Sequence, residues 1–151
     1  MQYPQRKHLR IPDYDYSQAN YYYVTICTRE KECLFGMPDD PTALGNLAKD
    51  EMEKLAQHYE DVVVDKFVIM PNHIHAIFAI GCSREGENPS LSQVVACYKA
   101  GVSRKSGTTP WQKSFYDEVI RNEAHYQSAW NYIDGNPSKW AEDKYFVPRH
   151  G

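Results

Sequence analysis

The chain lacks any unbroken apolar run long enough to cross a membrane, and its basic start, Met1-Gln2-Tyr3-Pro4-Gln5-Arg6-Lys7-His8, leads into no apolar stretch of the secretory kind. No membrane partner and a cytoplasmic location are the expectations. It also lacks a CxxC pair: Cys27, Cys33, Cys82 and Cys97 fit neither a zinc ribbon nor a disulfide framework, so reduced, partly buried thiols are expected. No internal repeat is apparent. Positive charge is not in excess either, since the formal net charge is −3, and any nucleic-acid binding has to rest on local basic clusters. Two such clusters occur, Arg6-Lys7-His8-Leu9-Arg10 and Lys99 with Arg104-Lys105, and each is equally compatible with a solvated face. What is present is globular in character. The 151 residues are 42% hydrophobic and 25% charged, which predicts one compact domain over residues 1–151.

Periodicity and breakers divide that domain. Tyr21 to Cys27 is aromatic and β-branched, as a buried strand requires. After the turn-rich segment from Phe35 to Pro41, Leu44, Leu47, Ala48, Met52 and Leu55 recur at helical spacing up to about His58. Val62 to Met70 and Ile74 to Ile80 read as adjacent strands separated by Pro71-Asn72, and Gly81 to Pro89 as a loop. Leu91, Val94, Val95, Tyr98 and Val102 form the stripe of a second helix ending near Gly107. Phe115 to Ile120 is a fourth strand, and Asn122 is the N-cap of a third helix running towards Pro137. The order β-α-β-β-α-β-α predicts an α+β, ferredoxin-like split βαβ fold: an antiparallel sheet with two helices on one face and the C-terminal helix near the other.

The chemistry begins at Met70-Pro71-Asn72-His73-Ile74-His75. On a strand, residues two apart point to one side, so His73 and His75 emerge together while Ile74 faces the opposite layer. Two imidazoles at that spacing suit a divalent metal, and equally a pair of hydrogen-bonded core histidines. On the last helix Tyr132 and Asn136 are four apart and share a face, with Tyr132 turned away from the apolar stripe of Tyr126, Ala129, Trp130 and Ile133. They are a candidate nucleophile and a candidate third ligand. A surface tyrosine and an ordinary helix end fit the same residues.

The Met-Pro-Asn-His-x-His string, together with Tyr132-Ile133-Asp134-Gly135-Asn136-Pro137, resembles the REP-associated tyrosine transposases of the single-tyrosine HUH superfamily. So do Tyr14-Asp15-Tyr16-Ser17, Val24-Thr25-Ile26-Cys27-Thr28, Cys33-Leu34-Phe35-Gly36, the run Trp111 to Asp117, and Ile120-Arg121-Asn122-Glu123, so that the resemblance spans nearly the whole chain. It implies Mg²⁺ or Mn²⁺ held by His73, His75 and Asn136 beside a nucleophilic Tyr132. Gly135 departs from the pattern, which more often has Asn there. The resemblance further implies single-stranded or hairpin DNA as substrate, cleaved to a 5′-phosphotyrosine and a free 3′-hydroxyl and then rejoined. A free phenol, with a pKa near ~10, needs a cation or base nearby to act at neutral pH.

Expected DNA contacts are Arg10, Tyr14, Tyr16 and Trp111, with Lys99, Arg104 and Lys105 meeting phosphates, and residues 1–19 would form a DNA-contacting extension. The tail over residues 140–151, with Trp140, Tyr145, Phe146 and Pro148, is expected to pack and to shield the site in part. The protein would be a monomer or a homodimer. Two alternatives to a strand transferase are a non-catalytic hairpin-binding regulator on the same fold and a hydrolase in which the metal activates water.

Overall fold

The computed structural model describes residues 20–81 and 89–142. Arg10, Tyr14, Tyr16, the extension to residue 19, most of the Gly81 to Pro89 loop and the tail beyond residue 142 lie outside the described residues.

Strand β1 (Asn20–Cys27) leads through a short 3-10 turn at Arg29–Lys31 to a small hairpin, β2 (Gly36–Met37) and β3 (Asp40–Pro41). Helix α1 (Ala43–Lys54) follows, capped by the Thr42 hydroxyl, which accepts from the Gly45 backbone N–H. A 3-10 turn (Leu55–His58) then leads to β4 (Val62–Met70) and β5 (His73–Ile80), joined by a two-residue turn at Pro71 and Asn72. Helix α2 (Leu91–Ser106) opens on a capping box between Ser90 and Gln93 and ends at Gly107, whose φ of 73° is the left-handed cap that glycine adopts without a steric penalty. Strand β6 (Tyr116–Ile120) and helix α3 (Glu123–Gly135, capped by the Asn122 side chain) complete the order, and a 3-10 segment (Asn136–Glu142) prolongs α3.

The main sheet runs β4-β5-β1-β6, and every neighbouring pair is antiparallel. This is the predicted ferredoxin-like arrangement. Its two faces are built differently from the same strands. Val24, Ile26, Ile74, Ala76, Phe78 and Ile80 point towards α1 and α2 and meet Met52, Leu55, Val94, Val95 and Val102 in the larger core. Tyr21, Val63, Ile77 and Ala79 point the other way and meet Tyr126, Ala129 and Ile133 of α3 in a smaller one. The third helix therefore covers the opposite face, as its position in the order predicts.

The small hairpin is an addition to the predicted elements. It is anchored at α1, where Gly45 has no room for a side chain: a Cβ there would stand 2.1 Å from the Phe35 carbonyl oxygen. A second addition is a β-bulge at Asp65, where the β4–β5 register steps between Val64 and Lys66. The bulged Asp65 accepts a 2.5 Å hydrogen bond from the buried Tyr126 hydroxyl and so ties β4 to the first half of α3. Beyond it Lys66 pairs with Asp134 at 2.9 Å and lies 4.2 Å from the Trp130 ring centre, which ties down the second half. Among the described residues no helix is long and apolar enough to cross a membrane.

Candidate active site

Strand alternation decides which side chains meet. On β5, Ile74 enters the larger core, so His73 and His75 face α3, and both are buried. Their ring centres lie 4.5 Å apart. The register puts Thr25 of β1 opposite His75 and Cys27 opposite His73, so β1 supplies the neighbouring side chains on that face.

Each ring is held through Nδ1. The His75 Nδ1 lies 3.0 Å from the Tyr23 hydroxyl and 3.0 Å from the Thr25 hydroxyl, and Tyr23 stacks on the same ring at 5.4 Å. His73 Nδ1 lies 2.8 Å from Asn72 Oδ1. A metal would accordingly be met by Nε2 of each ring, with Tyr23, Thr25 and Asn72 as the outer partners that fix ring orientation.

Helix α3 brings the predicted tyrosine to this pair. The Tyr132 ring centre is 5.3 Å from that of His75, and the side chain remains 44% exposed, so a substrate can reach it. Eight residues on, the Trp140 ring lies 6.2 Å from His73. Asn136 falls midway between these two contacts in the chain and keeps helical backbone angles of φ −60° and ψ −43°, so Gly135 does not interrupt the helix before it. The Asn136 side chain is buried, and its Nδ2 finds no hydrogen-bond partner among the described residues. A carboxamide exchanges its oxygen and NH₂ by a half-turn about its terminal bond, so the Asn136 side chain can present Oδ1 as a ligand atom where Nδ2 now stands. No group of three His, Cys, Asp or Glu side chains placed to hold a metal arises among the described residues. Two imidazoles and a buried amide fit a divalent ion of nitrogen and oxygen preference.

The remaining sequence candidates among the described residues are not gathered here. Lys99, Arg104 and Lys105 lie on α2, behind the sheet from the histidines. The Lys99 ammonium donates to the carbonyls of Gln112 (3.0 Å) and Ser114 (3.2 Å), and desolvation pulls its pKa below the usual lysine value. Lys105 is paired with the buried Glu51 at 2.6 Å, while Arg104 is exposed. Trp111 is half-buried, with its indole N–H on the Lys99 carbonyl and its ring against Phe35 and Tyr98. Conversely, sequence reasoning missed Tyr23, Thr25 and Asn72 as partners of the histidines. The alternation Tyr21, Tyr23, Thr25, Cys27 was a usable signal for the first two. Once β1 is paired beside β5, its polar positions on one face must look at the histidines.

No family model matches the chain. A protein of Haemophilus influenzae described as uncharacterized is 32% identical over an alignment of 168 residues, covering 94% of this chain and 93% of that protein. Among solved structures, a REP-associated tyrosine transposase bound to a REP hairpin superimposes with a TM-score of 0.67 at 20% identity, covering 90% of this chain and 77% of that one. A candidate transposase from Deinococcus radiodurans superimposes with a TM-score of 0.55 at 14% identity, covering 84% of this chain and 96% of that one. The chain thus belongs to one family with the Haemophilus influenzae protein and carries the fold of a REP-associated tyrosine transposase.

Proposed function

We propose that the protein is a divalent-metal-dependent nuclease and strand transferase acting on single-stranded or hairpin DNA, with Tyr132 as nucleophile. The observation that carries this reading is the accessible Tyr132 ring 5.3 Å from His75, whose ring is in turn 4.5 Å from that of His73. The structural neighbour bound to a REP hairpin supports DNA of that kind as substrate.

In this reading His73, His75 and Asn136 hold the ion, Mn²⁺ or Mg²⁺. Two imidazoles favour manganese, whereas magnesium prefers oxygen ligands. When bound, the ion neutralises charge on the scissile phosphate and orients it. Tyr132 Oη attacks the phosphorus in line, a tyrosyl–phosphate bond forms, and the bond to the 3′ oxygen breaks. The phenolic proton is lost to solvent, and the departing 3′ oxygen takes one up. The 5′-phosphotyrosine conserves the ester bond, so a second 3′-hydroxyl can attack it and rejoin DNA without a nucleotide cofactor. Tyr23 and Thr25 hold His75 in place throughout, and the near-perpendicular setting of Tyr132 against His75, 67° between planes, brings the helix to the strand without covering the phenol.

The test is incubation with an end-labelled single-stranded hairpin and Mn²⁺, followed by a denaturing gel. A protein–DNA adduct that disappears in Tyr132→Phe is expected. Cleavage without an adduct would instead indicate water as the nucleophile, and binding without cleavage a regulator.

A further inference from the structure

We infer that Asn72 is a positioning residue that fixes His73 in the tautomer needed for metal binding, and that a strained turn after β1 orients Asn72 for this task. The metal-binding half of the inference rests on the function proposed above; the tautomer half does not.

Which atoms can donate decides the arrangement. Asn72 Nδ2 donates to the Lys31 carbonyl oxygen at 3.1 Å, and a carbonyl can only accept. That contact sets the orientation of the Asn72 amide and directs its Oδ1 at His73 Nδ1, 2.8 Å away. Because Oδ1 also can only accept, Nδ1 of His73 must carry the proton. In the neutral ring Nε2 then holds its lone pair, which is the form a metal requires. The relay is sequestered, since Asn72 and His73 are both at 0% exposure. His75 is held differently. Its Nδ1 meets two hydroxyls, and a hydroxyl rotates to donate or accept as the ring demands.

The turn that presents the Lys31 carbonyl is unusual. Glu30 and Lys31 take φ values of 50° and 56°, the only non-glycine residues with positive φ among those described. Two successive left-handed residues without glycine persist only when their surroundings hold them. Here they are held from both sides. The Arg29 backbone N–H donates to Pro110 and its guanidinium to Thr109, at 2.8 and 2.7 Å, which fixes the turn to the segment leading into β6. The Thr28 backbone N–H donates to the Asn72 carbonyl at 3.0 Å, and Phe35 N–H to that of Pro71 at 3.0 Å, which fixes it to the β4–β5 turn. The strained residues therefore stand one hydrogen bond from Asn72 and two from the histidine. Strain of this kind, maintained by surrounding contacts, holds a polar group at a set place and angle.

The experiment reads histidine side-chain ¹⁵N shifts in metal-free protein at a pH where the rings are neutral, and then Mn²⁺ affinity by electron paramagnetic resonance. In the unaltered protein His73 should carry its proton on Nδ1. In Asn72→Ala that preference should be lost or averaged, with Mn²⁺ binding weakened by ~10–100-fold, the usual effect of losing an outer partner. In Asn72→Asp, which keeps an acceptor towards His73, the Nδ1–H form should be retained and Mn²⁺ affinity should lie above that of Asn72→Ala. An Nε2–H form in the unaltered protein overturns the inference even if neither variant folds. An unchanged tautomer and unchanged affinity in a folded Asn72→Ala overturn it as well. If the unaltered protein binds no Mn²⁺, the metal reading fails, and the tautomer result alone decides the role of Asn72.

Discussion

The two faces of β5 are made from alternate residues of one strand, yet they have opposite characters. Towards α1 and α2 stand Ile74, Ala76, Phe78 and Ile80, an uninterrupted apolar row in the larger core. Towards α3 stand Ile77 and Ala79 in a smaller core, and then His73 and His75, where the apolar row gives way to imidazoles with polar partners. One face holds the sheet together and the other spends part of its burial on polar groups that contribute less to stability. A site placed on the strand rather than on a loop inherits the stiffness that the apolar face provides. The first consequence is that damage to the two faces should be separable.

The largest stability effect is expected on the apolar face. Phe78→Ala should cost ~3–5 kcal/mol in urea-induced unfolding, a large part of the stability of an ordinary domain. If it left stability intact, the division of labour between the faces would be lost. On the other face, His75→Ala should weaken Mn²⁺ binding by at least ~100-fold, beyond the usual loss from an outer partner, while circular dichroism stays native. Metal titration by calorimetry checks this, and an unchanged affinity would remove His75 from the site.

A smaller effect sharpens the comparison at the helix-pair face. The Tyr98 hydroxyl donates to the Ala48 carbonyl at 2.9 Å, and burial together with the nearby Glu51 carboxylate pushes its pKa well above the ordinary value. Stability from this group is complete below the unfolded tyrosine pKa of ~10 and falls as pH rises beyond it, because the unfolded chain ionises first. Tyr98→Phe should lower stability at neutral pH by ~1 kcal/mol and flatten the alkaline decline, read by thermal unfolding across that range. The smallest effect is a gain. Gly135 lies in α3, and a Cβ there meets nothing within 4 Å, so Gly135→Ala should add about 0.5–1 kcal/mol to stability. Loss of stability would mean that the helix before Asn136 needs glycine after all.

These contrasts also mark what the sequence makes visible. Period-2 alternation is local, so the shared side of His73 and His75 and the opposite setting of Ile74 can be inferred from three residues. The turn of Tyr132 away from the stripe of Tyr126, Ala129 and Ile133 follows from helical spacing alone. The partners of the histidines are non-local. Tyr23 and Thr25 reach His75 only because β1 pairs with β5 in one register, and a one-residue slip would turn them to the other face. Asn72 reads in sequence as a turn residue, and its buried contacts depend on Lys31, 41 positions away. The bulge at Asp65 leaves no mark in the apolar pattern, because Val62-Val63-Val64 and Phe67-Val68-Ile69 are apolar on both sides of it. Nor does charge on a helix show the internal partners of Lys99 and Lys105: one donates to loop carbonyls and the other pairs with a buried carboxylate.

The central claim is that the exposed tyrosine beside the histidine pair forms the covalent bond to DNA. Mass spectrometry of proteolysed adduct, formed with a single-stranded hairpin and Mn²⁺, tests it most directly. A nucleotide 5′-phosphate is expected on the peptide carrying Tyr132, and none in Tyr132→Phe. An adduct on another tyrosine, or efficient cleavage by the phenylalanine variant, would contradict it.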